Sequence, residues 1–127
     1  MAEKWSCEED LFCGINLSKK PQELSDLEKK HTPVITAPDR VKKGECFDVI
    51  VEVGKLMPHP NEPGHSIQFL ELYSGHTYLG RMDFTAKSTC PKAVFCVSLE
   101  HAHGPLRAFE RCNLHGVWES RKEITVE

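Results

Sequence analysis

From residue 31 onward, apolar and polar residues alternate along the chain in the pattern of half-buried β-strands. In residues 46–53, an apolar side chain occurs at every second position from Phe47 to Val53, and Asp48 and Glu52 occupy the other face. Further strands, rich in β-branched and aromatic residues, are predicted at residues 33–37, 66–73, 78–84, 92–99, 106–112 and 117–126.

About seven short strands at this spacing predict an all-β fold, an antiparallel β-sandwich. The first 30 residues are polar and irregular, so we expect an N-terminal arm over residues 1–30 and a sandwich domain over residues 31–127. Within the arm, Ser25 followed by Glu28 matches a capping box, which predicts a short helical turn.

Composition narrows the class of protein. The formal net charge of -3 predicts neither a nucleic-acid partner nor a membrane-surface partner. The sequence contains no run of about 18 apolar residues, so no transmembrane helix is expected. The N-terminal residues lack the apolar segment of a signal peptide. We therefore expect a cytoplasmic protein, whose six cysteines are thiols or metal ligands rather than disulfides. Since the chain has no Cys-x-x-Cys pair, a four-cysteine iron or zinc site is not expected.

Two segments carry candidate metal ligands. The first is the loop of residues 54–65, where three prolines restrict the freedom of His59 and His65. The second is the end of a predicted strand, where Cys112 and His115 are three residues apart and precede Gly116. A thiolate and an imidazole at this spacing can reach one ion.

Together with His31, just before the first predicted strand, these residues form a set of four histidines and one cysteine. Such a mixture of imidazole and thiolate donors suits Fe(II), with five of six octahedral positions filled. One thiolate leaves a net positive charge on a ferrous site, and a small anion is attracted to such a centre.

Three motifs occur in order along the chain: Lys30-His31-Thr32-Pro33, then His59-Pro60 with His65, then Cys112-Asn113-Leu114-His115-Gly116-Val117-Trp118. In sequence and separation they resemble the superoxide reductase family, which includes neelaredoxin and the iron-binding domain of desulfoferrodoxin. The resemblance runs from about residue 26 to the C-terminus and is to the one-iron form. It implies an immunoglobulin-like sandwich.

The resemblance also implies an activity and a site. His31, His59, His65 and His115 would be equatorial ligands of one Fe2+/Fe3+ per chain, and Cys112 would be the axial thiolate. The implied reaction is the reduction of superoxide to hydrogen peroxide, with electrons from an external donor such as rubredoxin. The family further suggests a homodimer or homotetramer.

Lys30 corresponds to a family lysine that would steer superoxide toward the iron. The family often has a glutamate immediately before that lysine, where it caps the oxidised iron. Here Lys29 holds that position, and Glu28 lies one residue earlier. The sequence leaves open whether Glu28 replaces the cap.

Two other classes of function are less consistent with the sequence. A cupredoxin-like electron carrier needs a weak axial Met, but no Met follows Cys112 and His115. A non-catalytic immunoglobulin-like module with structural zinc would have a closed site with four ligands, and a fifth argues against it. Outside the motifs, His101 and His103 could form a His-x-His pair, although a solvated turn is the preferred interpretation. Cys7 and Cys13 could form a redox pair, although two buried or unreactive thiols are the preferred interpretation.

Overall fold

The computed structural model describes residues 14–127. Within this span the chain forms one short helix and ten strands. Their bounds are β1 Ile15–Leu17, α1 Asp26–His31, β2 Val34–Thr36, β3 Arg40–Val41, β4 Phe47–Glu52, β5 Ile67–Ser74, β6 Thr77–Asp83, β7 Lys92–Val97, β8 Leu106–Cys112, β9 Gly116–Lys122 and β10 Thr125–Val126. None of the helical structure in these residues is long and apolar enough to cross a membrane.

Two sheets form the body of the molecule. One has five strands in the order β1-β9-β8-β5-β6, and the other has three in the order β2-β4-β7. A parallel pair, β3 with β10, lies apart from them. The buried core draws its side chains from both sheets, among them Val49, Val51, Leu70, Leu72, Ala93, Val97, Leu106 and Ala108. The two sheets therefore pack face to face, and the predicted all-β sandwich is confirmed.

The alternation in β4 has the predicted consequence. Val49 and Val51 are fully buried, whereas Asp48 is exposed. β4 pairs antiparallel with β2 on one side and with β7 on the other. Burying apolar side chains on alternate positions stabilises the sheet by about 25 cal/mol for each Å² of apolar surface removed from water.

All seven predicted strand segments contain strands, with small differences in length. The segment predicted at 117–126 is interrupted between β9 and β10, where Ile124 turns into the core. β1 and β3 were not predicted, because two or three residues are too few to display an alternation. β1 extends the larger sheet by pairing parallel to β9, and the side chain of Asn16 donates to the carbonyl of Val117 at 3.0 Å.

The predicted capping box is confirmed. The Glu28 N–H donates to Ser25 Oγ at 3.2 Å, and the Ser25 N–H donates to Glu28 Oε1 at 3.0 Å. The helix that begins there ends at His31, so the boundary at residues 30 and 31 falls inside α1. The division into arm and domain remains a prediction, and Cys7 and Cys13 lie outside the described residues.

The fold brings three connections to one end of the sandwich. Ile67 at the start of β5 pairs with Cys112 at the end of β8, and Cys112 pairs with Gly116 at the start of β9. Val34, three residues after the end of α1, pairs with Glu52 at the end of β4. The end of α1, the β4–β5 loop and the β8–β9 turn therefore meet.

Candidate metal centre

Five side chains converge at this end of the sandwich. They are His31, His59, His65, Cys112 and His115, and each offers one nitrogen or sulfur atom to a group in which all these atoms lie within 4.8 Å of one another. The structure thus brings together the whole set that the sequence proposed as iron ligands. We call it the His/Cys cluster.

The last residue of α1 supplies one imidazole. His31 is buried, and its Nδ1–H donates to the carbonyl of Leu27 one turn earlier, at 2.7 Å. Its ring stacks on the indole of Trp118, with centroids 5.0 Å apart and planes 20° apart. Because Nδ1 carries the proton, Nε2 is left with a lone pair, and it points into the cluster 3.1 Å from His115 Nδ1.

The β4–β5 loop supplies two more. The Nδ1–H of His59 donates to the carbonyl of Pro60 at 2.6 Å, which again leaves Nε2 as the ligating atom. His65 is fixed by its backbone, since His65 and Glu62 exchange two backbone hydrogen bonds of 2.9 Å. The Nε2 atoms of both rings are buried, with no hydrogen-bond partner among residues 14–127.

Asn113 ties this loop to the β8–β9 turn. Its side-chain amide donates to the carbonyl of Gly64 at 3.0 Å, and its Oδ1 accepts from the Ser66 N–H at 2.9 Å. These bonds cross between the two segments on either side of His65. They hold the loop histidines at a set distance from Cys112, which reduces the entropy lost when an ion is bound.

The β8–β9 turn supplies the sulfur and the fourth imidazole. Cys112 is fully buried, and its Sγ lies 3.6 Å from His115 Nδ1. The backbone N–H groups of Leu114 and His115 donate to the sulfur. Gly116 closes the turn with a φ of 79°, a left-handed conformation that favours glycine.

Burial sets the protonation of the imidazoles. It is the largest influence on three of them: it lowers the pKa of His59 to about 4, and it also lowers the pKa values of His31 and His65. Neutral imidazoles are the form that binds metal ions. At neutral pH these rings are thus ready to act as ligands.

The thiol responds to burial in the opposite direction. Burial raises the pKa of Cys112, and the hydrogen bonds from the two backbone N–H groups offset part of that rise. Glu110 lies two residues earlier on the same inner face of β8, and burial raises its pKa to about 9. A cation placed among these atoms would therefore be needed to hold Cys112 as a thiolate.

The donor set fits an iron ion. The two buried Nε2 atoms without partners are explained if they serve as metal ligands, because buried polar atoms otherwise find hydrogen bonds. Four neutral imidazoles and one sulfur suit a borderline-soft divalent metal. The described part of the cluster contains no carboxylate, which disfavours the hard cations Ca²⁺ and Mg²⁺.

Lys30 lies beside the cluster and Glu28 does not join it. Besides burial, the positive charge of Lys30 contributes to lowering the pKa values of His31 and His65, so its ammonium group acts on the site. The carboxylate of Glu28 is engaged at the start of α1, where hydrogen bonds with Ser18 and Ser25 lower its pKa. In this conformation the Glu28 carboxylate caps α1 and is not part of the His/Cys cluster.

The remaining candidates lie elsewhere. His101 and His103 are exposed on the β7–β8 connection, with ring centroids 4.0 Å apart, and they are not part of the His/Cys cluster. Cys46, Cys90 and Cys96 are exposed free thiols.

Sequence reasoning missed the roles of two residues. Trp118, although part of a quoted motif, was given no contact with His31. Glu110 follows Leu106 and Ala108 at the inward-facing positions of β8, so the period of two could have marked it as a buried acid.

Comparisons with known proteins agree with this geometry. A model of the desulfoferrodoxin family matches residues 23–121. A protein of Methanocaldococcus jannaschii is 49% identical over 118 residues, which cover 91% of this chain and 97% of that one. The superoxide reductase of Pyrococcus horikoshii is 39% identical over 105 residues, covering 76% and 88%. Among solved structures, the superoxide reductase (neelaredoxin) of Ignicoccus hospitalis is 40% identical, covers 89% of this chain and 95% of its own, and superposes with a TM-score of 0.77.

Proposed function

Because the chain belongs to the desulfoferrodoxin family, we propose that it is a superoxide reductase, which reduces superoxide to hydrogen peroxide at a mononuclear iron site. The observation that carries this proposal is the His/Cys cluster, in which five potential ligand atoms lie within 4.8 Å of one another. All five residues of the cluster lie within residues 23–121, the range that the family model matches.

We assign the iron ligands to Nε2 of His31, His59 and His65, to Nδ1 of His115 and to Sγ of Cys112. For His31 and His59 the hydrogen bonds to Leu27 and Pro60 support this choice, because they occupy Nδ1. When bound, iron would supply the single electron that superoxide accepts. We propose one iron per chain, since the five residues form one group among residues 14–127.

The potential ligands differ in their exposure to solvent. Cys112 is fully buried beneath the cluster, whereas His59, His65 and His115 are partly exposed. The strongest electron donor thus comes from the protein interior, and the imidazoles border the solvent. A thiolate donor increases the electron density available at the metal, and the N–H groups of Leu114 and His115 moderate it by bonding to the sulfur.

Lys30 attracts the anionic substrate toward the site. The chain as a whole has a formal net charge of -3, so attraction must come from a local charge. The Lys30 charge contributes to lowering the pKa values of His31 and His65, which supports a local positive field near the cluster. Such a field raises the rate of encounter at low ionic strength.

Product formation requires one electron and two protons for each superoxide. The Nδ1–H protons of His31 and His59 are engaged in backbone hydrogen bonds. We propose that water ordered by the Lys30 ammonium delivers the protons.

We propose an external electron donor of the rubredoxin type, and a homo-oligomeric assembly, on the family resemblance alone. The exposed free thiols Cys46, Cys90 and Cys96 support a reducing compartment, the cytoplasm.

The two alternative functions fit the site less well. A structural zinc site is closed by four ligands, and a cupredoxin site uses two histidines, a cysteine and a weak axial ligand. Four histidines with one cysteine exceed both sets.

Metal analysis joined to kinetics tests the proposal. We expect purified protein to hold one iron per chain, and the ferrous form to consume superoxide in pulse radiolysis while forming one peroxide for each superoxide. The variants His59→Ala and His65→Ala should lose iron, whereas His101→Ala, which alters a histidine outside the cluster, should keep it. Zinc or copper in place of iron, or iron-loaded protein that leaves superoxide unconsumed, contradicts the proposal.

A further inference from the structure

Two cysteines outside the iron site face each other across the smaller sheet. Cys46 immediately precedes β4, and Cys96 lies in β7, the strand paired with β4. Both side chains are exposed and both thiols are free. They lie toward the end of the sandwich away from the His/Cys cluster, since β4 runs from Cys46 toward the cluster loop.

The strand register explains why they meet. Cys96 is paired directly with Asp48, and Cys46 is two residues before Asp48, so Cys46 and Cys96 project from the same outer face as diagonal neighbours. The side chain of Cys96 is hydrogen-bonded with that of Cys46. A single surface cysteine has no such neighbouring thiol.

Closing a bond between them requires only a small movement. A disulfide needs Cα atoms within about 7 Å, and diagonal neighbours in an antiparallel pair are about 7–8 Å apart. The first paired residues at this end are Phe47 and Val97, so Cys46 lies outside the ladder. A shift of about 1 Å by Cys46 would therefore break no strand pairing.

The two thiols differ in their surroundings. The hydrogen bond with Cys46, followed by the charge of Cys46 itself, raises the pKa of Cys96 above its ordinary value. Cys46 is exposed and lies outside the strand ladder, whereas Cys96 lies within β7, so we place the first attack on peroxide at Cys46.

We propose that Cys46 and Cys96 form a peroxide-sensitive dithiol, which hydrogen peroxide converts into an intramolecular disulfide. The Cys46 thiolate attacks one oxygen of the peroxide, the O–O bond breaks, and hydroxide leaves and takes up a proton to become water. The sulfur of Cys46 is now a sulfenic acid. The Cys96 thiol then attacks that sulfur, and a second water leaves.

The balance is closed. Two thiols give up two electrons and two protons, and one peroxide takes them up to become two waters. The oxidant is the product of the proposed reduction of superoxide, so its physiological supply rests on the proposed function. The chemistry of the pair itself does not, because peroxide can be added directly. Cellular dithiols would restore the reduced pair by thiol–disulfide exchange.

The test is to treat the iron-loaded protein with hydrogen peroxide, block remaining thiols with iodoacetamide and map the peptides by mass spectrometry without reduction. We expect a loss of two free thiols per chain and one new cross-linked peptide that joins Cys46 to Cys96. Dithiothreitol should return both peptides to the alkylated form. Cys90→Ser, which alters an exposed cysteine on another loop, should leave the cross-link unchanged.

The single variants separate the two roles. In Cys96→Ser the sulfenic acid on Cys46 has no resolving thiol, and dimedone should label Cys46 after peroxide treatment. In Cys46→Ser, labelling of Cys96 should fall to the level of untreated protein. The proposal is overturned if peroxide leaves both cysteines alkylated, or if either one is joined to a different cysteine or to a second chain. Normal iron content with no cross-link would reject the dithiol and leave the proposed function intact.

Discussion

The imidazole of His31 and the indole of Trp118 lie stacked, with ring centroids 5.0 Å apart and planes inclined by 20°. The same indole donates its Nε1–H to the carbonyl of His115 at 3.1 Å. One buried side chain therefore supports two of the four histidines. Trp118 does so from β9, a strand that itself contributes no donor atom to the His/Cys cluster.

Replacing Trp118 should separate packing from hydrogen bonding. We expect Trp118→Ala to lower the free energy of unfolding by about 3–5 kcal/mol, the usual cost of emptying so large a buried volume. Iron affinity should fall by about 10–100-fold, as when other groups that orient ligands are removed. Urea denaturation and competition with a chelator measure the two effects.

Trp118→Phe is the matched control. It keeps an aromatic ring against His31 but loses the Nε1–H bond to the carbonyl of His115. Its stability loss should be smaller than that of Trp118→Ala. If Trp118→Ala binds iron as tightly as the wild type, the stacking does not orient His31.

Replacing the sulfur ligand should change the colour of the protein. We expect Cys112→Ser to abolish the visible absorption of the oxidised iron protein, because a ferric thiolate absorbs by charge transfer from sulfur and a hydroxyl ligand does not do so in the same way. The oxidised spectrum and the iron content are measured on one sample. Unchanged visible absorption in a variant that still holds iron would remove Cys112 from the site.

Removing the charge of Lys30 should slow the encounter with superoxide. A unit charge a few ångströms from its target is worth roughly 1–4 kcal/mol between water-like and surface dielectric values, and screening reduces the usable part. We expect Lys30→Ala to lose about tenfold in the bimolecular rate at low salt while keeping its iron. Pulse radiolysis over a salt series should show a shallower slope for the variant than for the wild type.

Lys29→Ala is the control for that measurement. Both residues lie in α1, where consecutive side chains diverge by about 100°. Lys29 should therefore contribute less than Lys30. A larger loss for Lys29→Ala would transfer the steering role to it.

An ion-pair group on the outer face of the larger sheet should make stability depend on pH. Glu119 is buried and accepts from Arg107 at 2.8 Å and from Arg121 at 2.7 Å. Burial, the largest single influence, raises the pKa of Glu119, but the bonds and charges of the two arginines together hold it below its ordinary value. A lowered pKa in the folded state means that the ionised carboxylate stabilises the fold.

This stabilisation is present above the ordinary carboxyl pKa and is lost as the pH falls through that value toward the lowered one. We expect Glu119→Gln to cost about 1–3 kcal/mol at neutral pH, reduced at the exposed Arg121 side by solvent. The difference between wild type and variant in urea midpoint should shrink between about pH 5 and pH 3. A difference that stays constant over this range would mean that the carboxylate charge is not what matters.

The strands that could be predicted are those long enough to show a period of two. β4, with its buried Val49 and Val51, is such a case. β1 could not be found in this way, because it is defined by its pairing with β9 and not by any pattern of its own. The capping box predicted the start of α1 but not its end at His31, since a six-residue helix displays less than two turns of periodicity.

The site was predictable to the extent that its residues lie in short motifs. His59, His65, Cys112 and His115 lie in two compact segments whose spacing carries the chemistry. The support given by Trp118 to His31 joins residues far apart in the chain, so no local pattern contains it. The contact between Cys46 and Cys96 similarly depends on the register between β4 and β7, which sequence alone left undetermined.

The short strand β1 has a consequence for aggregation between copies of the protein. Without Ile15–Leu17, the backbone of β9 would present unpaired N–H and carbonyl groups along one margin of the larger sheet. Such a margin is a template on which another chain can add as a strand, and this is a common route to aggregation. β1 covers residues 117–119 of β9 and itself becomes the edge of the sheet, and so short an edge strand offers little template for another chain. The tolerance of its residues to mutation should be limited by solubility during expression and not by the chemistry of the iron site.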